Sequence, residues 1–265
     1  MKKLWKQRME PFRIWGNLWF CGSVPSSCHV IDTGEGLILI DPGLPETFYL
    51  VVQSLWELGF EPKQVRAILH THGHYDHAGA TKLLLGLAPE AKTYIGAGDA
   101  DTVRGLDDLS LAELVGAEFD GFFEPDVLLE DGYVLRLGNT EVKCVSTPGH
   151  SRGTFSFFFD AVDETGEAKR CGMHGGAGIN SMMLEYYAAH GLDPSERDGF
   201  VPGLARVRDE RVDICLGSHT YCNGTQGKGK KVLAGDKYAF VDPEEWARYC
   251  DRTIATFEAM VARGQ

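Results

Sequence analysis

Hydrophobic positions along this chain recur with two periods. Runs rich in aromatic and branched residues predict strands over residues 13–21, 29–33 and 37–40, the last closed by the turn signature Asp41-Pro42-Gly43. Over residues 45–58 the period lengthens: Phe48, Val51, Val52, Leu55 and Trp56 fall at helical spacing, and Gly59 stands where a C-cap belongs. A strand over 65–69, a helix over 78–87 and a short strand over 91–95 follow. Residues 96–131 are acidic and punctuated by glycine, with one helix near 109–115, and this stretch is placed to cover a site.

The second half returns to the short period. Strands are predicted over 134–137, 141–146 and 154–160, with Asp131-Gly132 and Gly138-Asn139 as hairpin signals. Residues 193–211 hold a helix ahead of a strand over 214–216, and 221–235, rich in Gly and Lys, reads as a mobile loop. Asp242-Pro243-Glu244-Glu245 opens a closing helix over 243–263. With no linker, low-complexity tract or short repeat, residues 1–265 read as one domain. Hydrophobic residues make up 43% of the chain, enough to bury a sizeable core.

Charge narrows the partners. Lys and Arg total 26 against 38 Asp and Glu, a net charge of -12 that repels phosphate backbones, so a nucleic-acid partner is not expected. No apolar run reaches the roughly 20 residues of a membrane helix, and the basic opening stretch lacks the apolar core of a signal peptide. The sequence therefore predicts a cytoplasmic protein without a membrane partner. Seven scattered cysteines without a C-x-x-C pair read as isolated reduced thiols, mostly buried.

The chemistry concentrates after the 65–69 strand, where Thr71-His72-Gly73-His74-Tyr75-Asp76-His77 packs three imidazoles and a carboxylate into six positions. In an extended turn His72 and His74 point the same way and can share one metal, while Asp76 and His77 face another direction and can serve a second. The missing side chain at Gly73 lets the turn be tight. Further ligands must come from elsewhere, and His150, in Thr147-Pro148-Gly149-His150-Ser151, and His219, in Gly217-Ser218-His219, both follow strands and sit beside small residues.

These segments, in this order, resemble the metallo-β-lactamase superfamily, and the resemblance spans nearly the whole chain. It implies an α/β fold of the α+β kind, an αββα four-layer sandwich with a dinuclear metal site at one edge of the sheets. Carried over by position, it puts His72, His74 and His150 on one zinc and Asp76, His77 and His219 on the other, the arrangement of the third metallo-β-lactamase subclass. Asp41 matches the family's acid that orients a ligand histidine. The implied activity is that of a zinc-dependent hydrolase in which metal-bound hydroxide attacks the carbonyl of a β-lactam-like amide, lactone or thioester, with Asp76 orienting it or shuttling a proton. Lactamases of this subclass are exported and this chain carries no export signal, so a different small-molecule substrate is expected. A di-iron redox enzyme and a non-catalytic metal-binding homologue are the alternatives, since His and carboxylate ligands suit iron as well as zinc.

Residues 171–178 depart from the pattern, for they lack the metal-bridging Asp of many superfamily hydrolases. His174 stands there, either contacting a metal or its water as a catalytic residue, or serving a hydrogen-bonding or substrate-facing role. His70 is expected to be structural, and His29 and His190 to lie on the surface or in loops. Ser26 and Cys28 are candidates to line the pocket. Lys228, Lys230 and Lys231 either draw a substrate carboxylate or form a solvated charge run.

Overall fold

Leu37–Ile40 buries all four of its side chains by serving two cores at once. Successive residues of a strand face opposite sides, so Ile38 and Ile40 enter the layer between two sheets while Leu37 and Leu39 meet helices outside. The phenylalanine run divides in the same way: Phe155, Phe157 and Phe159 fill the central layer, and Phe158 faces the helices beyond the second sheet. A strand apolar on both faces belongs in the middle of a sandwich.

The computed structural model describes residues 3–265; Met1 and Lys2, which begin the basic opening stretch, lie outside the described residues. One sheet holds seven strands in chain order, β1 (Phe12–Trp15), β2 (Leu18–Phe20), β3 (His29–Asp32), β4 (Leu37–Ile40), β5 (Val65–Leu69), β6 (Lys92–Gly96) and β7 (Val127–Leu129). The other runs β12-β11-β10-β9-β8, from β8 (Val134–Leu137), β9 (Thr140–Ser146), β10 (Phe155–Val162), β11 (Ala168–His174) and β12 (Ile214–Gly217). The helices α1 (Phe48–Glu57), α2 (Tyr75–Ala78) and α3 (Thr81–Leu87) belong to the first half, with α4 (Ala100–Arg104) after β6. Later come α5 (Leu184–His190), α6 (Phe200–Val207), α7 (Thr225–Leu233) and α8 (Glu245–Ala262). Apolar stripes of α1 and α3 cover the first sheet, and those of α6 and α8, Trp246 and Tyr249 included, cover the second. The expected αββα sandwich is what forms.

Several local readings change, among them the strand over 13–21, which splits into β1 and β2, and the stretch 96–131, which also holds α4 and β7. Asp131-Gly132 makes no hairpin: it carries the chain from β7 in one sheet to β8 in the other. The helix expected over 78–87 breaks into α2 and α3, and α2 begins inside the histidine motif. Residues 168–174 and 184–190 form β11 and α5, neither of which the pattern announced. The stretch 221–235 contains α7 instead of a loop. Glycine lowers helix propensity by about 1 kcal/mol, but α7 packs on β1 so closely that a Cβ at Gly229 would meet the Phe12 ring at 2.4 Å. Packing on the sheet overrides the propensity. All seven cysteines are free and buried, but they are not all isolated as expected, for the sulfurs of Cys21 and Cys28 lie 3.4 Å apart; no helix among the described residues is long and apolar enough to cross a membrane.

Candidate metal centre

Strand direction brings the chemistry to one edge. β4, β5 and β6 run parallel, so Asp41, the histidine motif and Asp99, which follow them, emerge side by side. In the second sheet β9, β11 and β12 share one direction, and the loops carrying His150 and His219 leave from the same edge. Two backbone bonds join the sheets there, from Phe155 N to Thr71 O at 2.9 Å and from Ser27 N to Ser218 O at 3.0 Å.

All six expected ligands converge. Donor atoms of His72, His74 and His150 lie within 4.8 Å of one another, and so do those of His72, Asp76 and His77. His219 completes the second group, its Nε2 lying 3.3 Å from His77 Nε2 and 3.5 Å from Asp76 Oδ2. Across the first group, Nε2 of His72 and His150 face each other at 3.2 Å. Nitrogens about 2.0–2.1 Å from a tetrahedral zinc are roughly 3.3 Å apart, so these spacings suit a shared cation.

The outer faces of four of the five rings support the same fit. His150 Nδ1–H donates to Gly178 O at 2.7 Å, and His219 Nδ1–H to Pro25 O at 2.7 Å. His77 Nδ1–H donates to Asp41 Oδ2 at 2.9 Å, and His72 Nδ1–H to Thr71 Oγ at 2.9 Å. With the proton held on Nδ1, Nε2 keeps its lone pair toward the centre. Thr71 in turn donates its hydroxyl to Asp41 Oδ2 at 2.7 Å and its backbone N–H to Oδ1 at 2.8 Å. One buried carboxylate thus orients a histidine of each group, directly or through a hydroxyl. Asp41 does so at φ 53°, left-handed backbone that side-chain-bearing residues other than Asn and Asp seldom adopt.

Burial governs protonation. It holds the pKa of His72 and His150 well below the usual imidazole value, with neighbouring imidazoles adding to the effect, and it lowers His74 to about 3. These rings are neutral near pH 7, the form that ligates metal. Burial also opposes ionisation of Asp76, but His77, His219 and His74 outweigh it and hold the carboxyl below its usual range. Burial likewise opposes charge on His77, and Asp76 and Asp41 outweigh it, raising the pKa.

The other singled-out residues separate cleanly. His70 is structural as expected, its ring nitrogens bonded to Tyr94 O and Thr81 Oγ. His29 is not at the surface but buried in β3, and burial lowers its pKa to about 4. His190 is not in a loop but is the last residue of α5, half-buried, its ring bonded to Tyr186 O. Ser26 donates to Asp76 O at 2.5 Å and so braces the motif, whereas Cys28 is buried against Cys21. Lys228 is engaged by Glu245 and lies over the Phe240 ring.

His174 does not join the cluster in a ligand role. The ring is fully buried, with Nδ1 2.9 Å from Ser156 Oγ and Nε2 2.8 Å from Gly176 O. Both nitrogens are committed to the fold, so of the readings open in the sequence the hydrogen-bonding one fits, and neither the contact with a metal or its water nor the substrate-facing role does. Burial lowers its pKa to about 4, keeping the ring neutral. His174→Ala is expected to retain the parent's metal content while losing about 1–3 kcal/mol of stability from the abandoned partners. Elemental analysis with a thermal melt checks this, and a lower metal content in the variant would count against it.

One residue was missed in the sequence, and one expectation takes shape. Asp99, fully buried, accepts from Gly73 N at 2.7 Å, Gly153 N at 2.7 Å and Ser151 Oγ at 2.6 Å, joining the turn between His72 and His74 to the loop after His150. A Cβ at Gly73 would sit 2.9 Å from Asp99 Cβ, and one at Gly153 would sit 2.7 Å from its Cγ. Those glycines make room for this acid. The signal was available: Asp99 follows a strand among glycines, as Asp41 does. The expectation is the cover: a cleft of about 220 Å³ lies over the cluster, walled by Leu111, Leu114, Val115 and Tyr221, so the acidic stretch does cover the site.

Comparison with known proteins agrees with this geometry. The native FEZ-1 metallo-beta-lactamase from Legionella gormanii superposes with a TM-score of 0.86 over 97% of each chain at 26% identity. BJP-1, a subclass B3 metallo-beta-lactamase of Bradyrhizobium japonicum, does so with a TM-score of 0.85 over 98% of this chain and 97% of that one at 25% identity. A hydroxyacylglutathione hydrolase of Francisella tularensis subsp. novicida is 34% identical over 177 residues, 66% of this chain and 57% of its own length. The chain spans about three fifths of the length of the curated relatives it matches. The sequence profile of the metallo-beta-lactamase superfamily matches residues 21–163, more than half of the sequence, and with a sandwich whose strand ends gather five histidines and an aspartate, the chain belongs to that superfamily.

Proposed function

We propose that the protein is a dinuclear zinc hydrolase that opens an amide, lactone or thioester bond in a small molecule. The observation that carries this reading is the pair of donor groups, His72-His74-His150 and Asp76-His77-His219, with four of the five imidazoles held at Nδ1 by an oxygen. When bound, zinc supplies a Lewis acid for the carbonyl and a water ligand of near-neutral pKa.

The chain's own residues do the rest. Asp76 is the one carboxylate among the described residues lining the cleft, and its side chain is 29% exposed. Ionised, it would hold a metal of the second group through Oδ2, which faces His77 and His219, and its other oxygen accepts a proton from an attacking water and returns it to the leaving group. Asn180, also on the wall, presents an amide donor to a carbonyl oxygen. Tyr221 stacks on His219 with ring centroids 5.0 Å apart and narrows the entrance, limiting water.

Elemental analysis of protein purified without added metal is expected to show about two zinc ions per chain, and the same protein is expected to turn over at least one class in a panel of lactams, lactones and thioesters. Iron with visible absorption would overturn the zinc assignment. Metal-replete protein inert on every class would overturn the hydrolase.

A further inference from the structure

Cys21 and Cys28 stand where β2 and β3 lead into the loop 22–27. The strand register, with Trp19 opposite Val30 and Phe20 opposite His29, sets the two cysteines opposite each other, and Cys21 N–H donates to Cys28 O at 2.9 Å. Hydrogen-bonded partners in an antiparallel pair stand roughly 5.5 Å apart at Cα, within the span of about 4.4–6.8 Å that a disulfide bridges. The sulfurs already lie 3.4 Å apart, and closing them to a bond of about 2.05 Å is a side-chain movement. Cys144 and Cys171, by contrast, direct their thiols at the carbonyls of Val142 and Lys169.

What the two cysteines enclose is a strap over the second donor group. Ser23 N–H closes its turn on Ser26 O at 3.0 Å. From there Val24 O accepts from the Thr220 hydroxyl at 2.6 Å, Pro25 O from His219 Nδ1–H at 2.7 Å, Ser26 Oγ donates to Asp76 O at 2.5 Å and Ser27 N–H to Ser218 O at 3.0 Å. Four consecutive residues thus reach the segments that carry Asp76 and His219, and the ends of the loop are two thiols in register. We propose that Cys21 and Cys28 form a modification site, a dithiol that a peroxide converts to a disulfide, and that the bridge locks the strap onto the Asp76-His77-His219 group.

Both sulfurs are buried, and burial pushes the Cys28 thiol well above its usual pKa, with Cys21 and Asp41 adding to the effect. The closed fold is therefore unreactive, and the step waits on lifting of the strap. With the strap lifted, one thiolate attacks hydrogen peroxide, takes one oxygen as a sulfenic acid and releases hydroxide. The other thiol then attacks that sulfur, forming the S–S bond and expelling the oxygen as water. The cysteines give up two electrons and two protons, and one peroxide becomes two waters. A ring closed at Cys21 and Cys28 leaves the strap fewer conformations to open into. Metal that fixes Asp76 and His219 holds the strap down and slows the oxidation.

Hydrogen peroxide applied to the protein with and without bound zinc tests this, with free thiols alkylated before trypsin digestion, which leaves both cysteines on one peptide, residues 14–63. That peptide is expected to lose about 2 Da, two hydrogen atoms, and to take no alkyl group. The change is expected at least about tenfold faster in zinc-free protein, and in Cys28→Ala no bridge forms. In the bridged protein, amide exchange of residues 22–27 and release of zinc to a chelator are expected to slow severalfold, and dithiothreitol is expected to restore both. A peptide that keeps both thiols, or one that carries sulfinic acid in place of a bridge, overturns the modification site. A bridge that forms equally fast with zinc bound, or that leaves exchange and zinc release unchanged, overturns the lock on the metal group. The mass of the peptide is read whether or not the protein cleaves any substrate, so failure of the hydrolase reading shows separately.

Discussion

Asp41→Asn is expected to weaken zinc binding by about 10–100-fold while leaving the sandwich folded. Asparagine tolerates left-handed backbone, so φ 53° at this position is preserved and the change isolates the carboxylate. Both oxygens of Asp41 accept hydrogen bonds: Oδ1 from Thr71 N–H, Oδ2 from the Thr71 hydroxyl and His77 Nδ1–H. An amide supplies one acceptor where two are needed. If its NH2 replaces Oδ1, two buried donors face each other at Thr71. If it replaces Oδ2, His77 must accept at Nδ1 and carry its proton on Nε2, the atom 3.3 Å from His219 Nε2, where it no longer offers a lone pair. Either arrangement disturbs the His77 group, and the Thr71 relay passes the disturbance to His72. A chelator-competition titration reads the loss. Asp41→Gly, which also permits the backbone but removes the whole side chain, is expected to lose at least as much affinity. Unchanged affinity in both variants, with only a lower Tm, would reduce Asp41 to a structural residue.

The sequence exposed the parts of this molecule in which local pattern and tertiary role coincide. Leu37–Ile40 and Asp41 read as a buried strand ending in an acid because that is what four apolar residues and a turn signature permit, and the crowding in residues 71–77 has few physical explanations other than metal. What stayed hidden depends on partners distant in sequence. His174 looks the same on paper whether it faces a metal or Ser156, since only the sheet pairing of β10 with β11 sets Ser156 opposite it. His29 reads as a surface residue because nothing local shows that β3 is covered on both faces. Lys-rich α7 reads as a loop until Phe12 supplies the surface against which Gly229 packs. Asp131-Gly132 has the composition of a hairpin, and only the separation of β7 and β8 into two sheets makes it a crossing.

Asp99 carries the second large effect, for it joins two ligand loops that leave different sheets. Asp99→Ala abandons the buried N–H groups of Gly73 and Gly153 together, since no other acceptor reaches them in the fold described. Each unsatisfied buried donor costs about 1–3 kcal/mol, so the pair predicts a loss of about 2–6 kcal/mol. For a chain of this size that corresponds to roughly 4–12 °C in Tm. The loss is not evenly shared over the site. Gly73 lies between His72 and His74, and Ser151 and Gly153 follow His150, so the three-histidine group is the one that loosens, whereas His77 and His219 remain tied to Asp41 and Pro25. Zinc titration of the variant is therefore expected to separate into a weakened step and a near-native one, while Asp41→Asn disturbs the other group most. Asp99→Glu does not rescue, because the glycines leave room for a carboxylate on one methylene and no more: the Cβ of Asp99 already stands 2.9 Å from where a Cβ of residue 73 would be. Two zinc-binding steps weakened equally, or a variant as stable as the parent, would remove Asp99 from the support of the site.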